Sequence, residues 1–385
     1  DGADGISWAT AKQTIQAAVD AATNGCTVWV SNGTYATGGR IVCMDGGLPS
    51  SSNRVAIEKP LTVRSVNGAD VTLIQGEKDP ASTNGFGDAA VRCAFVETGA
   101  VLSGFTLTNG ATATNGASAF RTYGGGVVGR GIVENCTLVG NSAWANGGGA
   151  YYSALTLNNC KVIGNFAGEY GGGVHSATLN NCTVAGNSAG GAGGGCYQAT
   201  LRNCIAFSNT AIYGSNYEYC TVRTSCTTPY PDWPGNIAMD PQFVNAGAGN
   251  YRLRATSPCL DAGDDGVVTW AEDLDGNPRI AFGAVDMGAY EAQLTGAGTW
   301  FGAILNGQTG DLDCAAGDGV PNLLKYATGG SPRISDDNVL LGCPPYGAKP
   351  ALTFHRNPSA TDVRYVVEGA DRLTNGAAWR GLATN

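Results

Sequence analysis

The apolar positions in the central part of the chain alternate with polar ones over short stretches and return at a nearly fixed interval. A block of the form apolar-x-Asn-Cys-x-apolar occurs four times, with cysteines 24, 22 and 22 residues apart: Cys136, Cys160, Cys182 and Cys204. A glycine triplet precedes each block, and the triplets begin at Gly124, Gly147, Gly171 and Gly193. A period of two predicts β-strands, and a repeat of this length predicts a solenoid whose coils cover one another's apolar faces.

The residues expected to face inward fall into columns when the four blocks are aligned. One column contains Val133, Leu157, Leu179 and Leu201, and another contains Leu138, Val162, Val184 and Ala206. The cysteines lie between the two columns. This position predicts a stack of buried, reduced thiols that act as small apolar groups, and disulfides among them are the alternative.

Two columns of asparagine mark the bends of each coil. The asparagine before each cysteine is expected at a left-handed bend, which asparagine tolerates better than most residues: Asn135, Asn159, Asn181 and Asn203. A second column marks the next corner: Asn141, Asn165, Asn187 and Asn209. Stacked asparagines can hydrogen-bond to one another and to the backbone along the solenoid axis.

These features predict an all-β fold, namely a right-handed parallel β-helix. A leucine-rich repeat is the alternative, because its period overlaps and it also uses an asparagine column. That fold needs a helix or an extended return segment on its convex side. The Gly-Gly-Gly and Asn-Ser-Ala segments of this chain cannot be helical, so we favour the β-helix.

The ends of the solenoid also have recognisable patterns. Residues 11–22 place four apolar side chains on one helical face ahead of Gly25: Ile15, Ala18, Val19 and Ala22. We expect this helix to cover the open first coil, within an N-terminal cap at 1–35. The whole β-helix is predicted at 1–292, with regular coils at 123–222 and a closing segment at 236–292.

Composition narrows the possible partners. Charged residues make up 14% of the chain, glycine accounts for 59 residues, and the net charge is −9. Such a surface would repel nucleic acid and anionic membranes, and the sequence contains no apolar run long enough for membrane insertion. Only two histidines are present and no Cys-x-x-Cys pair occurs, which argues against a zinc site.

Several motifs resemble known bacterial proteins. The segment TIQAAV at 14–19, with Gly-Thr-Tyr at 33–35, resembles the N-terminal cap of secreted proteins with the pectin-lyase-like β-helix fold. The Asn-Cys-Thr and triple-glycine repeats are similar to those of chlamydial polymorphic outer-membrane proteins. The motifs at 240–243, 257–263, 273–279 and 286–291 resemble the closing segment of "choice-of-anchor" β-helix proteins. The resemblance implies a secreted or surface-held protein and little about its reaction.

The C-terminal part is predicted to be separate from the solenoid. We expect a linker at 293–310 and a small β-rich module at 333–385 that is truncated or processed. Residues 311–332 resemble an Asp-rich calcium motif followed by a short helix, although Cys314-Ala315-Ala316 interrupts the acidic run. The resemblance implies Ca²⁺ as a structural cofactor, with Asp311, Asp313 and Asp318 as its oxygen ligands.

The most suggestive candidate site is a column of outward-facing rings. Tyr151, His175 and Tyr197 recur at one-coil spacing, with Trp144 and Tyr170 near the adjoining corner. Such rings could stack on sugars and form a carbohydrate-binding surface. The alternative is ordinary aromatic stacking that stiffens a sheet face. We expect His175 to be a surface residue of this column rather than a general base.

The sequence evidence for catalytic residues is weaker than that for the aromatic column. Glycoside hydrolysis needs two carboxylates about 6.5–9.5 Å apart in inverting enzymes. Glu134 shares its predicted column with no other acid, and we assign no catalytic residue. The densest acidic region either binds calcium or satisfies backbone donors in tight turns: Asp261, Asp264, Asp265, Glu272, Asp273 and Asp275.

The sequence favours an extracellular or cell-surface β-helix protein without catalytic activity. Its role would be adhesive, structural or glycan-binding, with a polysaccharide or a cell-surface glycan as partner. A glycine-rich rod of low charge is also suited to self-association. The alternative function is that of a polysaccharide lyase or glycoside hydrolase acting on acidic polysaccharide.

Overall fold

The structure is a computed structural model that describes residues 3–44, 48–114, 119–281 and 284–293, together with four short strands nearer the C-terminus. Its main body is the predicted right-handed parallel β-helix, built from three eight-stranded sheets. Successive strands along the chain pass from one sheet to the next. Each strand therefore pairs with the equivalent strand of the following coil, and the solenoid grows along its axis.

Sheets 1 and 2 are parallel throughout. Sheet 1 consists of Thr27–Val30, Thr62–Ser65, Val101–Ser103, Ile132–Glu134, Thr156–Asn158, Thr178–Asn180, Thr200–Arg202 and Thr221–Arg223. Sheet 2 consists of Gly33–Tyr35, Thr72–Gln75, Thr106–Thr108, Thr137–Val139, Lys161–Ile163, Thr183–Ala185, Ile205–Phe207 and Cys226–Thr227. The first strands of both sheets lie inside the segment 1–35, so the solenoid begins within the predicted cap.

Sheet 3 is parallel except for its first two strands, which pair antiparallel. It consists of Arg40–Met44, Leu48–Ile57, Val91–Val96, Val127–Gly129, Ala150–Tyr151, Val174–His175, Cys196–Tyr197 and Tyr217–Glu218. A small fourth sheet contains Ser142–Ala143, Phe166–Ala167 and Ser188–Ala189. It lies between sheets 2 and 3 along the chain in the regular coils.

A short helix covers the first coil, as predicted. It runs from Ile15 to Ala21 and begins at Thr14, whose hydroxyl accepts a hydrogen bond from the N–H of Ala17. Ile15 and Val19 are buried in the same core as the coils. The side chain of Gln16 accepts a hydrogen bond from the N–H of Ala56, which fixes the helix to sheet 3. Short 3₁₀ helices occur at Trp8–Thr10 and Ala119–Arg121.

The predicted inward columns form one continuous core. The leucines, valines and cysteines of these columns are fully buried and belong to a single cluster that reaches from the N-terminal helix to Val222. The thiols of Cys136, Cys160, Cys182 and Cys204 are free. The backbone N–H of Cys160 donates to Sγ of Cys182 at 3.4 Å, and Cys182 repeats this contact with Cys204. The reduced thiol stack is thus confirmed.

Both asparagine columns occupy bends, in different ways. Asn135, Asn159, Asn181 and Asn203 have φ between 49° and 52°, in the left-handed region as predicted. In the second column, the left-handed residue is the one before the asparagine, for example Gly164 with φ of 60°. Asn165 itself is buried and donates from Nδ2 to Oδ1 of Asn187 at 2.9 Å. These side chains form an internal hydrogen-bonded ladder.

The glycine triplets allow the coils to approach closely. A Cβ atom on Gly149 would lie 2.6 Å from the backbone oxygen of Gly173 in the next coil. The N–H of Gly149 donates to that same oxygen at 2.9 Å. No larger residue fits while this hydrogen bond is kept, which explains the repeated triplet.

The closing segment first extends the last coil, where Ile237 pairs with Cys226. The rest of it runs along the outside of the solenoid, over the corner between sheets 1 and 2. The N–H of Gly288 donates to the carbonyl of Asn203 at 2.8 Å, and the amide of Asn159 donates to the carbonyl of Glu272 at 2.9 Å. The segment contains an antiparallel pair, Phe243–Asn245 with Asn250–Leu253, and 3₁₀ helices at Ala246–Ala248 and Asp265–Val267.

Beyond residue 293 the structure describes two antiparallel strand pairs. Pro345–Tyr346 pairs with Lys349–Pro350, and Val366–Gly369 pairs with Arg380–Thr384. The linker at 293–310, the motif at 311–332 and the limits of the module at 333–385 remain predictions. Among the described residues, no helix is long and apolar enough to cross a membrane.

Candidate glycan-binding face

An aromatic row runs along the outer surface of sheet 3, parallel to the solenoid axis. It consists of Tyr151, His175 and Tyr197, which are register partners on three neighbouring strands. Their ring centroids are 5.1 Å apart at both steps, with interplanar angles of 39° and 32°. Alternation within each strand points these side chains outward, and the parallel register of the strands stacks them. The structure brings together the three residues of the predicted column.

The two flanking residues of the prediction have different surroundings. Tyr170 stacks on Tyr197, with 4.8 Å between ring centroids and an angle of 23°. Trp144 instead makes its ring contact with Phe86 at 5.7 Å, and it is 42% exposed. Tyr170 therefore extends the aromatic row, whereas Trp144 lies apart from it.

Further rings that the sequence analysis did not single out continue the row. Tyr123 approaches Tyr151 with 4.6 Å between centroids, and Phe120 lies 6.0 Å from the same ring. Tyr219 meets Tyr197 edge-on at 5.6 Å and 84°. Tyr123 and Tyr170 both directly precede a glycine triplet, so an alignment of the triplets would have identified Tyr123 as a member of the row. Phe120 lies outside the repeats and could not be found in that way.

His175 is enclosed within the row, so the expectation of a surface residue is wrong. The residue is only 7% exposed, with a tyrosine on either side along the axis. Its Nδ1 lies 2.7 Å from the hydroxyl of Ser176. Burial disfavours the charged imidazolium and lowers the pKa of His175 to about 4. The imidazole is therefore neutral at neutral pH and packs as an aromatic ring between its two neighbours.

The arrangement limits where a sugar could stack. The rings of Tyr151, His175 and Tyr197 pack against one another, so their faces are largely occupied. At the distal end of the row, Tyr170 is 38% exposed and Tyr219 is 75% exposed. Sugar rings can stack only on accessible aromatic faces, which places the candidate contacts at this end of the row.

A groove of about 580 Å³ opens at the same end, and we call it the distal groove. It is lined by residues 214–219, Thr228 and Pro229. Glu218 is the register partner of Tyr197 and brings a half-buried carboxylate into the groove. An aromatic ring beside a hydrogen-bond acceptor can hold a sugar by stacking and through its hydroxyl groups.

On sheet 1, Glu134 lies in register with Asn158, Asn180 and Arg202 on successive strands. Its column therefore contains no second acid, as predicted. Its carboxylate is buried and forms an ion pair with Arg64 at 3.2 Å. Burial raises the pKa of Glu134, and the charge of Arg64 opposes this shift. The carboxylate thus pairs with Arg64, which lies two strands away in the same sheet, and not with a second acid.

The aspartates of the closing segment mainly satisfy backbone donors. Asp273 accepts hydrogen bonds from the N–H groups of Asp275, Asn277 and Glu291. In the described ranges of the chain, no group of three or more His, Cys, Asp or Glu side chains could hold a metal ion. Asp311, Asp313 and Asp318 lie outside the described residues, so calcium binding there remains a prediction.

Comparisons with known proteins show a similarity of fold and nothing more specific. Pectate lyase Pel9A matches over 76% of this chain and 94% of its own, with 13% identity and a TM-score of 0.38. Pectin methylesterase PemA from Erwinia chrysanthemi matches over 60% and 71%, with 12% identity and a TM-score of 0.32. The pectin methylesterase from Yersinia enterocolitica matches over 58% and 73%, with 11% identity and a TM-score of 0.28. No protein-family model and no curated protein matches the chain. The chain is similar to parallel β-helix proteins in architecture.

Proposed function

We propose that this protein works outside the cell or at its surface and binds a polysaccharide without cleaving it. The observation that carries the proposal is the aromatic row that ends in the distal groove. There, exposed Tyr219 lines the groove together with Glu218, and exposed Tyr170 stacks on the neighbouring ring of Tyr197. The rest of the row acts as a rigid support, because stacked rings on successive coils hold one another in place.

The chemistry of this face supports binding over catalysis. From Ala56 to Glu218, the outward column of sheet 3 contains apolar and aromatic residues and His175 before it reaches its one carboxylate. His175 is neutral and enclosed, so it is poorly placed to exchange a proton with a ligand. General acid–base catalysis needs such a group within hydrogen-bonding reach of the substrate.

The resemblances to choice-of-anchor proteins and to chlamydial polymorphic outer-membrane proteins support an extracellular or surface location. Calcium at Asp311, Asp313 and Asp318 and self-association along the rod belong to the same proposal. Sedimentation velocity at several protein concentrations tests self-association, and calorimetric titration with calcium tests binding of the ion. A single species of constant sedimentation coefficient would remove self-association, and the absence of any heat of binding would remove the calcium site.

Binding is tested by comparing Tyr219→Ala and Tyr170→Ala with Trp144→Ala. Trp144 is a matched control, because it is an aromatic residue of similar exposure to Tyr170 but lies outside the row. We expect the two tyrosine variants to weaken polysaccharide binding about fivefold or more and the tryptophan variant to bind normally. Equal binding by all three variants would contradict the proposed site.

The alternative function is tested in the same samples. Incubation with uronic-acid polysaccharides and calcium should give neither unsaturated products, detected by ultraviolet absorbance, nor new reducing ends. Turnover of any polysaccharide in the panel would favour a lyase or hydrolase over a binding protein.

A further inference from the structure

Two exposed arginines lie one above the other on the last coils of sheet 1. Arg202 and Arg223 are register partners on the strands Thr200–Arg202 and Thr221–Arg223. Neighbouring strands are about 4.8 Å apart, so both guanidinium groups can reach one anionic group or two adjacent ones. They stand at the distal end of the same outward column that contains Glu134.

These two side chains differ from the other arginines of the described chain. Between residues 3 and 293, every other arginine forms an ion pair or donates to backbone carbonyls. The ion pairs involve Arg40, Arg54, Arg64, Arg121, Arg130, Arg252 and Arg279. Arg92 and Arg254 donate to backbone oxygens. Within the described ranges, Arg202 and Arg223 have no carboxylate partner and no side-chain hydrogen bond, although the protein has an excess of acidic residues.

Trp233 positions one of the two arginines. The Cζ atom of Arg223 lies 5.0 Å from the ring centroid of Trp233, which is itself 53% exposed. A guanidinium group stacked on an indole ring gains cation–π stabilisation and keeps its in-plane N–H donors available. The group is therefore held in place while its hydrogen-bonding capacity remains free for a ligand.

From this geometry we propose that Arg202, Arg223 and Trp233 form a binding site for the acidic groups of a polysaccharide. A carboxylate or sulfate group would accept paired hydrogen bonds from the guanidinium groups, and the exposed indole would contact the sugar ring. The inference deepens the proposed function and rests on it. Tyr219 in the distal groove comes just before the strand Thr221–Arg223, so one chain of sugars can pass from the groove to the arginines.

The test measures binding of the full chain to three polymers: polygalacturonate, heparin and the neutral glucan dextran. The variant Arg202→Gln/Arg223→Gln is compared with Arg40→Gln/Arg130→Gln, which removes the same two charges elsewhere. We expect the first variant to bind the acidic polymer at least tenfold more weakly and the control to bind within about twofold of the wild type. Binding should also weaken with added salt. Preference for polygalacturonate or for heparin distinguishes carboxylate from sulfate groups.

The outcomes separate the two proposals. Binding of dextran alone, or equal loss in both arginine variants, would overturn the arginine site and leave the proposed function in place. Absence of binding to any polysaccharide would overturn both. The variant Trp233→Ala should weaken acidic binding as well, and acidic binding unchanged by both this variant and Arg202→Gln/Arg223→Gln would also overturn the site.

Discussion

Replacement of Asn165 by alanine should show how strongly the internal asparagine ladder stabilises the solenoid. The side chain is 1% exposed and takes part in four hydrogen bonds. Its Oδ1 accepts from the backbone N–H and from Nδ2 of Asn141, both at 3.0 Å. Its Nδ2 donates to the carbonyl of Leu138 at 3.0 Å and to Oδ1 of Asn187 at 2.9 Å. Asn165→Ala removes all four bonds inside the core.

The expected loss follows from the number of bonds. A buried hydrogen bond contributes about 1 kcal/mol net, and a donor left unpaired in the core costs more. Four bonds therefore correspond to about 4 kcal/mol of unfolding free energy. Folded domains have about 5–15 kcal/mol in total, so the variant should be severely destabilised.

Guanidinium-induced unfolding followed by circular dichroism measures this loss as a shift in midpoint at constant slope. Asn135→Gly is the matched control, because its φ of 49° suits glycine and its side-chain oxygen has no hydrogen-bond partner. The control should stay within about 1 kcal/mol of the wild type. A similarly small effect of Asn165→Ala would refute the view that this ladder is a major source of stability.

Three further perturbations test other parts of the structure. Gly149→Ala should lower the unfolding free energy by about 1–3 kcal/mol, because its Cβ would press on the backbone oxygen of Gly173. The pKa of His175 falls from 6.5 in the unfolded chain to about 4 in the folded protein. The contribution of the neutral imidazole to the unfolding free energy is therefore fully present above pH 6.5 and decreases by about 3 kcal/mol as the pH drops to 4. His175→Phe should remove this pH dependence. Glu291→Leu should cost about 3–5 kcal/mol, because it removes the carboxylate that forms an ion pair with the buried guanidinium of Arg279.

Each of these three perturbations is compared, in the same unfolding assay, with a control variant or with a result that would contradict the prediction. Gly247→Ala should be tolerated, because the nearest atom to its Cβ would be 3.7 Å away. Identical pH profiles for wild type and His175→Phe between pH 4 and 6.5 would show that the imidazole is not enclosed. Asp275→Asn weakens a more exposed ion pair with Arg252 and should cost less than about 1 kcal/mol; a loss equal to that of Glu291→Leu would contradict the assigned burial.

The repeated part of the fold could be predicted because each coil repeats the same local constraints. The cysteine column, the left-handed asparagines and the glycine triplets each follow from what one position must do in every coil. The early coils do not share this period: the register partners Thr27 and Thr62 are 35 residues apart, whereas Thr156 and Thr178 are 22 residues apart. Periodicity carries no information where the period is broken.

The closing segment and the burial of His175 depend on contacts between distant residues. The amide of Asn159 donates a hydrogen bond to the carbonyl of Glu272, which is 113 residues away in the sequence. The closing segment contains no repeat from which its position along the solenoid could be predicted. His175 lies in an outward position, but the tyrosines of the coils on either side cover it. Alternation gives the direction of a side chain, whereas its exposure depends on the size of its neighbours.

The central claim is that a polysaccharide binds intact in the distal groove. A crystal structure of the protein soaked with oligosaccharides that it binds in solution tests this most directly. We expect an uncleaved chain of sugars stacked on Tyr219 and hydrogen-bonded to Glu218. Shortened or unsaturated sugars in the groove, or a ligand bound only on another face, would contradict it.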